Sequence, residues 1–311
     1  MSLYLVTVAT TIAFYVLLAM GLNIIVGYAG QPSLGHAAFF GIGAYMAAIA
    51  ATRWGWPFWA GLAAATAAAA TAGALVGLVS LRLREDYLAI TTIGVNFVVV
   101  SAFLYWPFFG QALGIGGMAL PALWGFEPSK SAYFVLVLMA VLAAGVVDWW
   151  LRNSWLGAAL RAVREDEPAA LSCGINVAQA KVAAFVIGTA LAGLAGGLYA
   201  HFMGFVSPSD FGFLLSVTIM AMVVVGGAGT LRGAVAGAVL LGALPEVVRF
   251  VGQYRMLVYG ALLIAVLAFE PSGLLGDDSR LWRALQRMAS GVRPGLRQVE
   301  ATGTAEKVTK G

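Results

Sequence analysis

No aspartate, glutamate, lysine or arginine occurs between Met1 and Thr52. A run of that length without charge cannot form the wetted surface of a soluble domain, so it decides the solvent in which the chain folds. Beyond it, Leu, Ala, Val, Gly and Ile recur in windows of roughly twenty residues, the length an α-helix needs to cross the hydrocarbon layer. Strands of a membrane barrel would instead alternate polar and apolar side chains over about ten residues. With 61% hydrophobic and 10% charged residues, the chain reads as an all-α polytopic membrane protein. Its 39 glycines suit that reading, because small residues let helices approach where no hydrophobic force drives them together.

The apolar windows predict a bundle of about nine transmembrane helices (eight to ten), at 5–27, 34–52, 56–81, 88–109, 132–151, 182–206, 213–231, 233–250 and 254–270. The last three have thin boundaries, since Gly226, Gly227, Gly229 and Gly233 interrupt them and Pro245 and Glu246 sit in the eighth. A broken or re-entrant segment in that region requires shielding from lipid. Residues 1–276 form the membrane domain, and 277–311 a basic polar tail at the cytoplasmic surface.

With that tail inside, Arg82 and Arg84, then Arg152, Arg161, Arg164 and Lys181, then Arg232 all fall on the inner side. Arg53, Lys130, Arg249 and Arg255 remain outside. The positive-inside rule favours this arrangement, and nine spans then put the amino terminus outside. The opening MSLYLVTVATTIAF has no basic n-region and no small-residue cleavage site, so it reads as an uncleaved span. Although the net charge is +4, the basic residues cluster at helix ends and in the tail. Anionic membrane lipid is therefore the expected partner, and no nucleic acid is.

Two connections are long enough to act outside the bilayer. Residues 110–131 form the outer one, where GQALGIGG reads as turns. The inner one, 152–181, contains RAVREDEPAALSCGIN, Arg161 to Asn176. Trp155, Leu156, Ala159, Leu160 and Val163 recur at helical spacing, leaving Arg161, Arg164 and Glu165 for water. Pro168 prevents easy continuation but suits a first helical turn, where Asp166 and Glu167 meet the positive helix end. A second helix of about six residues, roughly 9 Å long, then runs to a stop at Gly174. So short a helix needs packing to persist. It is either an ordinary inter-span loop with interfacial charges or a docking knob whose small face is Ala169, Ala170 and Gly174.

Within the spans the polar exceptions are Asn23, Gln31, Ser33, His36, Thr91, Thr92, Asn96, Ser101, Gln111, Ser216 and Thr218. Polar groups at that depth face partners or water, which makes adhesion between helices the default role. Thr92 and Asn96, four residues apart on one helical face, make the sharpest candidate for a stripe lining a pathway, and Asn23 joins them. Dipoles without full charge suit a conduit, because tight binding slows release. His36, beside Pro32 and two glycines, is expected to tie helix ends and not to bind a metal, since no ligand cluster surrounds it. Gly193 and Gly197 are expected at a close helix contact. Glu85 and Asp86 beside Arg82 and Arg84 read as a local ion network. Cys173 is the single cysteine, so an intrachain disulfide is excluded. No phosphate cradle of the form G-x-x-x-x-G-K-[ST] occurs, so ATP chemistry is not assigned to this chain.

Several runs carry a resemblance. GLNIIVGYAGQPSLGHAAFFGIGAY (21–45), LRLREDYLAITTIG (81–94), the inner run 161–176, LAGLAGGLYAHFMGFVSPSDF (191–211), MVVVGGAGTLRGAVAGA (222–238) and YRMLVYGALLIAVLAFEPSGLLG (254–276) together resemble the LivM-type permeases of branched-chain amino acid ABC importers. The inner run is similar to the coupling segment of ABC importer permeases, in which Glu-Ala-Ala is followed after three residues by Gly. Here Pro168 stands where that pattern has glutamate, and Glu167 comes one place earlier.

The resemblance implies a non-catalytic subunit of a bacterial inner membrane importer for leucine, isoleucine and valine. It implies a LivH-type permease partner, two P-loop ATPases that hold the ATP and magnesium, and a periplasmic amino-acid-binding protein. It also turns Arg161, Arg164, Glu165, Asp166, Glu167, Pro168, Ala169, Ala170 and Gly174 toward an ATPase-coupling role. Permeases for other amino acids, amides or urea share these features. An ion-coupled carrier is the competing class; it calls for a carboxylate or histidine at mid-membrane depth or for paired discontinuous helices, and Asp148 and Glu246 are the nearest carboxylates. An intramembrane enzyme is disfavoured, because His36 and Cys173 lack a catalytic partner.

Overall fold

The computed structural model describes residues 3–83, 85–121, 129–247, 260–261, 264, 273–276 and 279. Helices α1 (Leu3–Leu22), α2 (His36–Thr52), α3 (Phe58–Ser80), α4 (Glu85–Tyr105) and α5 (Lys130–Asn153) are followed by the short α6 (Trp155–Glu165) and α7 (Glu167–Ser172). Then come α8 (Val177–Met203), α9 (Phe213–Gly226) and α10 (Leu231–Val247). The first eight expected windows thus hold helices. The ninth, 254–270, lies outside the described residues apart from the helical Gly260, Ala261 and Ile264, and so do the tail and much of the charged corner around Arg84. Among the described residues, six helical segments are long and apolar enough to cross a membrane: Leu3–Tyr28, Phe58–Ser80, Tyr87–Tyr105, Lys130–Asn153, Val177–Met203 and Pro208–Gly226. The nine expected crossings reduce to six on this criterion because α2 and α10 have only 17 residues each, about 25 Å of helix.

Glycine explains how the bundle closes. Helix α8 packs between α2 and α3, where side chains would hold the backbones apart. Gly193 lies against Ala65 and Ala69 of α3, and Gly197 against Leu62 and Ala65 of α3 and Ala47 of α2. Gly43 of α2 meets the Gly193 backbone, while Gly188 of α8 and Gly21 of α1 face each other's carbonyls. Leu198, Ala195 and Phe185 are buried in the same seam. Lipid-facing surfaces of α3, α4 and α5 expose Leu75, Val98, Leu142 and Trp149, as helices in hydrocarbon are expected to do.

At the bundle end holding the α4–α5 connection, a two-stranded antiparallel sheet pins that connection to the α8–α9 turn. Strand β1 (Ile115–Gly116) pairs with β2 (Phe205–Val206), Ile115 opposite Val206. Tyr45 of α2 stacks on Phe103 at 4.0 Å between ring centres and meets Phe109 and Phe211 edge-on, which seals this end with aromatic surface. His201 is buried against the same end of α8, with Nδ1 3.0 Å from the Gly197 carbonyl and its ring edge-on to Phe58. The expected structural role for this histidine agrees with that geometry.

Candidate translocation and coupling site

The helices are broken in two places, and neither lies in the 213–250 region where glycine and proline suggested it. Helix α1 passes into a π-helical turn, Asn23–Tyr28, and the chain then runs without regular structure through Gln31–Gly35 before α2 begins at His36. The second break is the stretch Gly204–Gly212 between α8 and α9, which includes the short turn Pro208–Phe211. Both are shielded from lipid, as irregular backbone at membrane depth must be. Gln31, Ser33 and His36 are buried in the first break, Val206, Pro208 and Phe211 in the second.

Neighbouring helices supply the hydrogen bonds that the broken backbone needs. Thr92 Oγ1 accepts the Leu34 N–H at 2.9 Å, and Ser216 Oγ of α9 accepts the Ala37 N–H at 2.9 Å in the opening turn of α2. One turn along α4, Asn96 Nδ2 donates to the Phe211 carbonyl at 3.2 Å. Thr92 and Asn96 thus do share a face, and that face holds one break each. The buried polar atoms without a hydrogen-bond partner among the described residues gather in the same region: both amide atoms of Gln31, Ser33 Oγ, Tyr45 Oη and Asn96 Oδ1. Native interiors leave few such groups, so their concentration marks a place where polar partners come and go. His36 sits against Gly21 of α1, fully buried, and no cluster of metal-ligating side chains occurs among the described residues.

Asn23 has a different job from the one expected. Its Oδ1 accepts the Gly229 N–H at 2.8 Å and its Nδ2 donates to the Thr230 carbonyl at 3.4 Å. It latches the π-helical turn to the glycine-rich α9–α10 link, so its polar atoms are spent on backbone. That correction has a simple cause: a glycine link exposes peptide groups that a buried amide side chain can pair on both sides.

The charged connection folds as two helices meeting at a corner. Ser154 begins α6, its hydroxyl accepting the Gly157 N–H, and Leu160 and Val163 bury the apolar face. Asp166 ends α6 and caps α7: its carboxylate accepts the Ala169 N–H at 2.9 Å, with Pro168 in the first turn. Lys181 of α8 anchors α7 through Glu167 at 2.7 Å. Gly174 adopts φ +80°, with open space where a Cβ would stand. Arg161, Glu165, Asp166, Pro168, Ala169, Leu171 and Gly174 are exposed.

Ala170 is not: it is 4% exposed and packs inward. The small outer face expected at Ala169, Ala170 and Gly174 is therefore Pro168, Ala169, Leu171 and Gly174, because Ala170 is the residue a one-and-a-half-turn helix must bury to be held. Arg164 also departs from a purely solvated role, since its Nη1 donates to the Gly27 carbonyl at the end of the π-helical turn. The sequence reading missed the network beside it. Tyr28 donates to Asp148 Oδ1 at 2.8 Å, and Arg152 Nε donates to Tyr28 Oη at 2.7 Å and pairs with Asp148 Oδ2 at 3.0 Å. The i,i+4 spacing of Asp148 and Arg152 was the available signal.

A bundle of apolar helices, broken in two shielded places and carrying a short capped helix outside it, defines a polytopic membrane transport protein. Over residues 4–267 the chain matches the family described as branched-chain amino acid transport system, permease component. It belongs to that family, and is a permease component of a transport system. It is 37% identical over 296 residues to the high-affinity branched-chain amino acid transport system permease protein LivM of Escherichia coli K12, covering 87% of this chain and 69% of that one. The corresponding protein LivH of Escherichia coli K12 is 30% identical over 84% of this chain and 91% of its own. The permease protein BraD of Pseudomonas aeruginosa is likewise 30% identical over 84% and 91%. No solved structure matches the chain.

Proposed function

We propose that this chain is one permease half of an ATP-driven ABC importer in a bacterial inner membrane, and that it moves leucine, isoleucine and valine delivered by a periplasmic binding protein. Its partner is a LivH-type permease, and two P-loop ATPases, holding ATP and magnesium, dock at the end carrying α6 and α7. That end faces the cytoplasm, the helix in 254–270 supplies the ninth crossing, and the amino terminus lies outside. The observation that carries the reading is the family match over residues 4–267, on a bundle whose α7 is held outward by its own cap and by Lys181.

ATP-dependent closure of the ATPases pushes on the outer face of α7, with Arg161, Glu165, Asp166 and Glu167 supplying charge around Pro168, Ala169 and Gly174. The two breaks then separate, and Gln31, Ser33, Thr92 and Asn96 offer neutral dipoles to the ammonium and carboxylate of an amino acid. Asn23, already spent on backbone, stays outside the route.

The broken helices and the buried Asp148 favour one other reading, an ion-coupled carrier. Purification from native membranes in mild detergent, with mass spectrometry of bound proteins, separates the two. Recovery of a second permease with P-loop ATPases supports the importer. Intact chain that moves amino acid in liposomes with no ATPase bound overturns it.

A further inference from the structure

At the end of α1, groups from three elements converge on a single turn. The Gly27 carbonyl, left over at a helix end, takes Arg164 of α6. The Tyr28 hydroxyl is fully used between Asp148 and Arg152 of α5, and Asn23 holds the α9–α10 link. Gly30 packs directly on the Arg164 side chain, with no room for a Cβ. One residue later the first break begins, and the Gln31 N–H still reaches back to the Ile25 carbonyl at 3.0 Å.

We propose that the π-helical turn Asn23–Tyr28 is the link that carries movement of α7 to the first break, with Tyr28 and Arg164 as its positioning residues. This rests on the importer reading above. The path is short and each step is a contact: α7 is joined to α6 through Asp166, α6 reaches Gly27 through Arg164, and the turn leads into Gln31–Gly35 with no helix between. Tyr28 makes the ends of α1 and α5 move together, because shifting either one breaks a bond to the phenol. A π-helical turn is a poor spring and a good switch. Its wide ring of backbone bonds can tighten to an α-turn by a one-residue change of register, which rotates everything that follows by about 100°. Such an element has two discrete arrangements that both ends can bias, which is what energetic coupling between distant sites requires. The buried carboxylate of Asp148, 1% exposed, is costly in a membrane unless paired, and here its pairing is what ties the helix ends.

The test uses the complete importer in liposomes, counting leucine moved per ATP hydrolysed, and hydrogen exchange of residues 29–36 in the purified full-length chain. Tyr28→Phe keeps the ring that Arg152 covers and removes only the hydroxyl. The ratio should fall about tenfold with ATPases still bound at normal stoichiometry, and exchange at 29–36 should rise. Arg164→Met should do the same, and Arg164→Lys should restore most of both. Unchanged ratio, unchanged exchange, or failure of both variants to assemble overturns the link, the last because it would make these groups simple structural ties. Wild-type uptake that needs no ATPase strikes the importer reading instead, and the exchange measurement still decides the link.

Discussion

Thr92 and Asn96 stand one turn apart on α4, and each hydrogen-bonds the backbone of a different helix break, Thr92 at Leu34 and Asn96 at Phe211. The two ties put one helix face in charge of both discontinuities, so a movement of α4 is felt at both. Removing one tie should uncouple them. Thr92→Val keeps shape and loses the acceptor, leaving the buried Leu34 N–H unpaired at a cost of about 1–3 kcal/mol. We expect a lower melting temperature in detergent and slower uptake, with ATPases still bound. An unaltered melt would mean that Leu34 finds another partner.

Gly193 tests the packing account. Leucine there must displace the Ala65 carbonyl and Ala69, so Gly193→Leu should lower the yield of folded complex by driving α8 from α3. Overpacking of this kind costs about 1–3 kcal/mol. Gly197→Leu meets Leu62 and Ala65 and should act in the same direction. Size-exclusion yield of the co-expressed complex is the measurement, and normal assembly of both variants would defeat the claim.

Neighbouring alanines should behave differently in α7. Ala169 is exposed while Ala170 is buried. Ala169→Leu is expected to weaken retention of the ATPases with the melt of the isolated chain unchanged. Ala170→Leu should lower that melt as well, because it wedges α7 off the bundle. Pull-down and melting of both variants side by side decide the matter; identical behaviour would contradict the orientation of the helix.

Asn23→Ala should strip two buried backbone groups of partners, at Gly229 and Thr230. A stability loss of about 2 kcal/mol or more is expected, with the greatest rise in hydrogen exchange in the α9–α10 link. Asn23→Asp keeps the acceptor for Gly229 and should recover part of the protection there. Exchange that rises evenly along the chain would argue against a local latch.

The corner of the charged connection was legible in the sequence because its causes are local. Asp166 and Pro168 act on backbone groups within one turn, so a proline, a capping carboxylate and a helical apolar period suffice to place α6 and α7. The polar stripe Thr92–Asn96 could be read for the same reason, as a matter of spacing on one helix. Its partners could not. Proline and glycine near His36 hinted at the first break, whereas the second, around Phe211, left no comparable mark, and the thin stretch near Pro245 remained helical to Val247. Proline inside an apolar helix can be tolerated where neighbouring groups satisfy the freed carbonyl.

The sequence by itself determined the solvent, the helical period and the ends of the short helices, since charge density and spacing act within a few residues. Tertiary structure alone decided what each polar group is for. Thr92 meets a backbone group 58 positions away, Asn96 one 115 away and Asn23 one 206 away. In hydrocarbon, where water cannot serve as a substitute partner, a polar side chain takes its meaning from whichever unpaired peptide group the folded chain brings to it.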